Sequence, residues 1–280
     1  MNASDMLELV RDNLNEATAS HWSDVNLVRR INQSQRKVAR LVASSPGQWL
    51  VKSLAVTPVA SVITLPSDCA RPLYLEESSS GMVVEWLSSG VSFRRVSREV
   101  GTSLYTGSLE AYPLMSTLEV NQSSYTTACT LWYQIRVPDL HTGTESSVAA
   151  SSLGFAADRN RSFVDDYYNG VTVEVISNST SIVSIRSEIT DYVASTGKAT
   201  ITGTPADSDT YGTISRLPQE THDLIVLEAT RLALMKPSST VDEKVMQMFN
   251  AELKDTRRDV EGWLMSRIPE SDGVAIGDMY

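Results

Sequence analysis

The stretch SHWSDVNLVRRINQSQRKVARLV (Ser20–Val42) reads as one helix whose two sides differ sharply in chemistry. At about 100° per residue, Leu27, Val28, Ile31, Val38, Leu41 and Val42 gather on one side. Arg29, Arg30, Arg36, Lys37 and Arg40 occupy an arc of roughly 120° on the other. The whole chain has 34 acids against 24 bases, a formal net charge of -10. Bulk charge therefore does not make it a general nucleic-acid binder, and any DNA contact is local. Two readings of the arc stand. One is a solvated face paired with some of the chain's acids. The other is a contact with phosphate or an acidic partner, both of which arginine fits well. No aromatic residue is interleaved with the cations, so nothing supports stacking of single-stranded bases.

On either side of this helix the pattern is mixed. Asn2–Ala17 has Met6, Leu9, Val10, Asn13, Leu14 and Ala17 at helical spacing. Ser23 suits an N-cap, with Trp22 and Leu27 at the positions of a hydrophobic staple. The SSPG of Ser44–Gly47 stops the helix. From Gln48 the texture is β-branched runs closed by proline, which predicts a compact antiparallel sheet over 48–141. His141–Gly154 reads as a Ser/Thr/Ala/Gly linker. Beyond it, Val171, Val173 and Val175 alternate with polar residues, and Asn169–Gly170 and Thr196–Gly197 signal turns. The linker and a small all-β module together span 142–215.

The tail of the chain returns to helix. THDLIVLEATRLALM (Thr221–Met235) is apolar nearly all round, so it must be buried on every face. Pro237 ends it, and Thr240 with Glu243 forms a capping-box pattern opening a last helix, Val241–Arg267. Its apolar stripe is Val245, Met248, Phe249, Leu253, Val260, Trp263 and Leu264. Residues 268–280 read as an extended arm whose Val274, Ile276, Met279 and Tyr280 are spaced to enter pockets on a partner. The fold expected is α+β. It consists of a helical bundle from 1–47 and 216–267, an antiparallel sheet region, and an inserted small β module.

Signals of chemistry are sparse. The sequence has no GxSxG, HExxH, GxxxxGK[ST] or GxGxxG. His21, His141 and His222 lack a second ligand at i+3 or i+4 and read as surface or capping residues. Asp165–Asp166 and the Asp207/Asp209 pair are either cation ligands or ordinary loop acids, and calcium loops need more oxygens at fixed spacing. Cys69 and Cys129 make no CxxC or Cys/His cluster, which fits a reducing compartment without disulfide or structural zinc. No run approaches the roughly 20 apolar residues of a membrane span, and no signal sequence is visible. The reading is a protein without enzymatic activity, cofactor, metal or membrane partner.

The order of WSDVNLVRRINQSQRKVARL, SVITLPSDCARPLYLEE, LWYQIRVPDL and LPQETHDLIVLEATRLALM resembles the head-to-tail adaptor, or connector, proteins of bacteriophages with podovirus- and siphovirus-type tails. The features shared are a Trp-Ser/Asp helix start, an IN.xQ helix core, a strand ending LP.D, a P..L strand end, and an LP step into a greasy helix. In that family P..L is followed closely by LP. Here the β module separates Pro138–Leu140 from Leu217–Pro218. The module is itself similar, through Asp166–Gly170 and Ile189–Tyr192, to a recurrent β insertion of phage virion proteins.

The resemblance implies a structural protein of the virion, made in the host bacterial cytoplasm. It implies a ring, typically of twelve copies, that docks under the portal protein and joins the DNA-filled capsid to tail nozzle or tail tube proteins and to tail fibres. Double-stranded DNA then passes through the channel without sequence-specific binding during ejection. In this frame the five cations of the arc and the four apolar residues of the arm are the partner-binding residues. The alternative is a virion β-domain protein that binds a host receptor or glycan, with Tyr167, Tyr168, Tyr192 and Tyr211 as an aromatic platform. A cryptic hydrolase is the third reading, weakened by the missing constellation.

Overall fold

A computed structural model describes residues 1–16, 21–45, 49–86, 109–121, 125–145, 151–235 and 243–266. The chain divides into two compact units, Leu50–Arg136 and the remainder, Met1–Trp49 with Val137–Tyr280.

The unit Leu50–Arg136 is built on strands β1 (Val51–Val56), β2 (Val62–Thr64), β3 (Cys69–Glu77), β4 (Val83–Trp86), β5 (Glu110–Leu114), β6 (Thr117–Val120) and β7 (Cys129–Ile135). They form one sheet in the order β1-β7-β3-β4-β5-β6-β2. Alternation decides its faces: Cys129, Leu131 and Tyr133 of β7 point into a core shared with Ile63, Leu75, Leu118 and Val120. The expected all-antiparallel sheet needs one correction, because β4 and β5 run parallel.

The other unit holds four described helices: α1 (Ala3–Asn13), α2 (Asp24–Ser44), α3 (His222–Leu234) and α4 (Glu243–Ser266). Its strands are β8 (Thr142–Thr144), β9 (Ser152–Gly154), β10 (Thr172–Ile176), β11 (Val183–Glu188), β12 (Asp191–Val193), β13 (Lys198–Thr200) and β14 (Thr210–Thr213). They pair as β11-β10-β14-β8 and β12-β13-β9 around Leu153, Phe155, Tyr168, Val173, Tyr192 and Tyr211. The greasy helix α3 packs against α1, α2 and α4, as an all-round apolar helix must.

The expected architecture of a helical bundle carrying a small inserted β module is wrong. Strand and helix are nearly equal, about 31% and 32%, and within the helical unit β10 and β14 are tied directly to α1. The reason lies at the start of α1. Asn2 caps it, its Oδ1 accepting from the Asp5 N–H at 3.0 Å, while its Nδ2 donates to Glu174 of β10 at 2.7 Å. Its backbone also bridges to Ile214 just beyond β14. Gly212 of β14 lies so close that a Cβ there would stand 2.8 Å from the Ser4 backbone nitrogen.

The His141–Gly154 linker is also corrected: β8 and β9 lie in it, and β8 pairs with β14. The predicted helix Asn2–Ala17 ends at Asn13, and Asn15 follows with φ 51°. Ser23 stands at the N-cap of α2 but its hydroxyl makes no capping bond. Thr240, the capping residue expected before α4, and the whole arm 268–280 lie outside the described residues. On α4 Val260 and Leu264 of the predicted stripe are fully buried, Phe249, Leu253 and Trp263 are half-buried, and Met248 is exposed.

Candidate functional site

The buried side of α2 is less apolar than its spacing predicts. Leu27, Val28, Ile31, Val38 and Val42 are buried, and so are Asn32, Ser34 and Gln35. Leu41 is half-buried. Asn32 grips Leu140 from both sides: its Nδ2 donates to the Leu140 carbonyl at 2.9 Å, and its Oδ1 accepts from the Leu140 N–H at 2.6 Å. One turn on, the Gln35 amide donates to the Pro138 carbonyl at 2.7 Å. The Asp139 N–H donates to the Tyr167 hydroxyl at 3.0 Å. Every residue of Pro138–Leu140 is thus held, and the Asp139 carboxylate is left facing Arg36, whose Nη1 donates to both oxygens at 3.1 and 3.0 Å. Burial pushes the Asp139 carboxyl up and the Arg36 guanidinium pulls it back.

A second anchor brings residues from beyond β9 to the same helix. His141 is fully buried and stacks on Phe155 and Tyr211. The Tyr211 hydroxyl accepts from the Ala156 N–H, and because the Asp158 carboxylate on Nε2 requires a proton there, Nδ1 of the neutral His141 ring accepts from that hydroxyl at 3.0 Å. The opposite ring nitrogen then donates to Asp158 at 3.1 Å. Burial works to raise the Asp158 carboxyl. The bond from His141 and the N–H groups of Asn160 and Arg161 outweigh it and hold the group low. With that turn fixed, the Asn160 side chain donates to the Val25 carbonyl in the first turn of α2 at 3.0 Å.

Between these anchors lies a cleft of about 450 Å³ lined by Arg29, Arg30, Arg36 and Arg159, with Asp139 as the only carboxylate among its described lining residues. Among the described residues Arg29 and Arg159 have no carboxylate within ion-pair distance, and Arg30 donates to Gln33 at 3.2 Å. The predicted arc is therefore split. Lys37 turns away to Glu228 of α3 at 3.6 Å, in a group with Arg231, and Arg40 is exposed outside the cleft. The solvated, acid-paired reading holds for Lys37, and for Arg36 in part. Chemically the cleft is a concave surface with more guanidinium than carboxylate, a composition suited to an anionic group. Sequence reasoning missed Asn32 and Gln35, although two amides interrupting an apolar stripe at i and i+3 are a legible signal. It missed Arg159 and Asn160 for want of any signal. The arm residues Val274, Ile276, Met279 and Tyr280 lie outside the described residues.

Other candidates resolve as scaffold. His222 is buried and bonded to the Leu217 carbonyl, so neither it nor His141 is a surface residue. Asp165 accepts from the Ala194 N–H, and Asp209 from the N–H groups of Asn178 and Ala206. Among the described residues no group of three or more His, Cys, Asp or Glu side chains is gathered as a metal site. Tyr168, Tyr192 and Tyr211 are fully buried, which removes the aromatic platform of the receptor-binding alternative. Cys69 and Cys129 are free thiols, and no described helix is long and apolar enough to cross a membrane.

The described residues thus combine an α+β architecture with an arginine-rich cleft on α2. The chain belongs to the SU10 adaptor protein family, a phage head-to-tail adaptor family, which it matches over residues 1–151. No curated protein sequence matches it. The match spans α1, α2 and the whole unit Leu50–Arg136, and includes both the Asn32/Gln35 grip and the Pro138–Leu140 segment that it holds. The second wall of the cleft, Arg159 and Asn160, comes from beyond the matched part.

Proposed function

We propose that this phage adaptor works as an oligomeric ring, of twelve copies in keeping with the family resemblance. The ring docks under the portal and connects the filled capsid to the tail, with the genome passing through its channel. The observation that carries the proposal is the arginine cleft on α2, which has more cationic than anionic groups on a chain of net charge -10. A local cationic cleft on an acidic molecule fits a carboxylate-bearing protein surface and gives docking both register and speed. An acidic remainder suits a channel that DNA must slide through, since lining cations would capture phosphates.

The test is docking of the purified protein to portal, followed by mass measurement, for wild type and Arg29→Glu/Arg159→Glu. Both side chains are exposed, so the variant keeps its melting temperature. Two reversed charges facing an acidic partner should weaken docking about 100-fold or more. Unchanged docking by the folded variant would remove the cleft from the interface. A protein that stays monomeric with and without portal would remove the ring.

A further inference from the structure

The seven-stranded sheet of the unit Leu50–Arg136 is finished differently at its two edges. At β2 the outward N–H and C=O of Val62 are taken by Val59 at 3.0 and 2.9 Å, so the chain itself covers the start of that edge. At β1 nothing comparable is found among the described residues. The bond from the Ile135 N–H to the Leu50 carbonyl fixes the phase of the β1–β7 ladder. Lys52, Leu54 and Val56 therefore bond to β7, while Val51, Ser53 and Ala55 direct their N–H and C=O groups outward. None of these outward groups has a partner among the described residues. The strand is regular, with no bulge against β7, and its central residues Lys52–Ala55 are exposed, Leu54 at 40%. It carries neither proline nor bulge to blunt pairing, and its one charge is Lys52.

We propose that β1 is the acceptor for an added strand, and that the strand is Val274–Met279 of a second copy of this chain. The inference rests on the ring reading above. The segment lies outside the described residues, and its sequence is complementary to β1 in one antiparallel register. Lys52 then faces Asp278, Leu54 faces Ile276 and Val56 faces Val274. On the other side of the sheet, Ser53 faces Gly277, Ala55 faces Ala275 and Val51 faces Met279. Every pair matches charge with opposite charge, apolar with apolar, or small with small. A slip of two residues in one direction sets Leu54 against Asp278, and in the other sets Lys52 against Ile276. A slip of one moves Ile276 to the opposite face. Lys52 leans on Asp68 at 3.4 Å, and an ammonium with three donors can serve a second carboxylate as well. The charge that repels indiscriminate edge pairing thus selects this strand.

The experiment uses full-length chains bearing Leu54→Cys or Ile276→Cys, purified separately, mixed, and oxidised mildly alone and with portal. The expected result is a band of twice the chain mass that reduction removes and that wild type, with Cys69 and Cys129 in place, does not give. Leu54→Cys mixed with Val274→Cys, two residues out of register, should give at least tenfold less. Adding Ser53→Pro should abolish the band without unfolding the protein, because it removes only an N–H that points outward. Failure of the mixture to cross-link overturns the proposal. So does a double variant, Leu54→Cys/Ile276→Cys, that cross-links within one chain while the mixture does not. The mass of wild type in the same samples separates the two readings. An oligomer that gives no cross-link refutes the strand and leaves the ring. A monomer in every sample refutes the ring as well.

Discussion

Asn32 is buried and makes two hydrogen bonds, both of which end on the backbone of Leu140. Truncation to alanine leaves that N–H and C=O buried and unpaired, a loss of about 2–4 kcal/mol. We therefore expect Asn32→Ala to lower the denaturation midpoint in chemical unfolding with little change in slope. Asn32→Asp should fail too, since a carboxylate would face the Leu140 carbonyl. His222 gives a pH-dependent counterpart. Its Nε2–H donates to the Leu217 carbonyl at 3.2 Å, while Nδ1 is buried without a partner among the described residues. Burial lowers its pKa below the ordinary 6.5, the Leu217 carbonyl opposing only in part. The unfolded chain binds this proton near pH 6.5 and the folded chain resists it. Its contribution to stability is thus full above about pH 6.5 and drains away as pH falls through the depressed folded value. Thermal melts between pH 7.5 and 5 should show a shallower decline for His222→Gln than for wild type.

At the level of elements, α1 shows how a helix becomes bound to a sheet. Asn2 caps the helix and reaches Glu174 on β10, and Gly212 lets β14 approach the first turn. Asn2→Ala removes the cap and the cross-link and should cost about 1–2 kcal/mol. Gly212→Ala should cost more, because the added methyl meets the Ser4 backbone, which cannot swing aside as a side chain would. Differential scanning calorimetry on the two variants checks that order. A smaller effect from Gly212→Ala would mean that α1 can lift from β14. On α2 the two faces have separate tasks. The inner one grips Pro138–Leu140 and the outer one offers arginines, so reversing Arg29 should alter docking while altering Asn32 should alter stability.

For the molecule as a whole, the contiguous unit Leu50–Arg136 begins and ends at neighbouring points, the Ile135 N–H lying 2.8 Å from the Leu50 carbonyl. A short Gly/Ser linker can therefore replace 50–136 with little closure cost. We expect the remainder to keep its helical circular dichroism and a cooperative melt. Deletion of 151–215 should do the opposite. Leu153, Phe155, Tyr168 and Tyr211 form the core around His141, and Asn2 loses its partners on β10 and β14. A cooperative melt in that second deletion would show the β region to be dispensable after all.

Local chemistry by itself determined much of this protein. The 3.6-residue period made α2 and α3 legible, proline and glycine marked their ends, and alternation marked β7 and β10, because these are properties of near neighbours in the chain. The order of short motifs was enough to reach the family, since Asn32, Gln35 and Pro138–Leu140 are the two halves of one buried grip. Tertiary structure alone decided the rest. His141 looks like a linker residue until β14 and Phe155 enclose it, and Arg159 has no local signature until Asn160 is tied to Val25. The 142–215 stretch reads as an insertion because its alternation says only that it is β. Whether such a sheet stands alone or fuses with helices depends on contacts between residues far apart in sequence, such as Asn2 with Glu174 and with Ile214. The five cations likewise share one helical arc by geometry, but distant carboxylates on Asp139 and Glu228 decide which of them are paired within the chain.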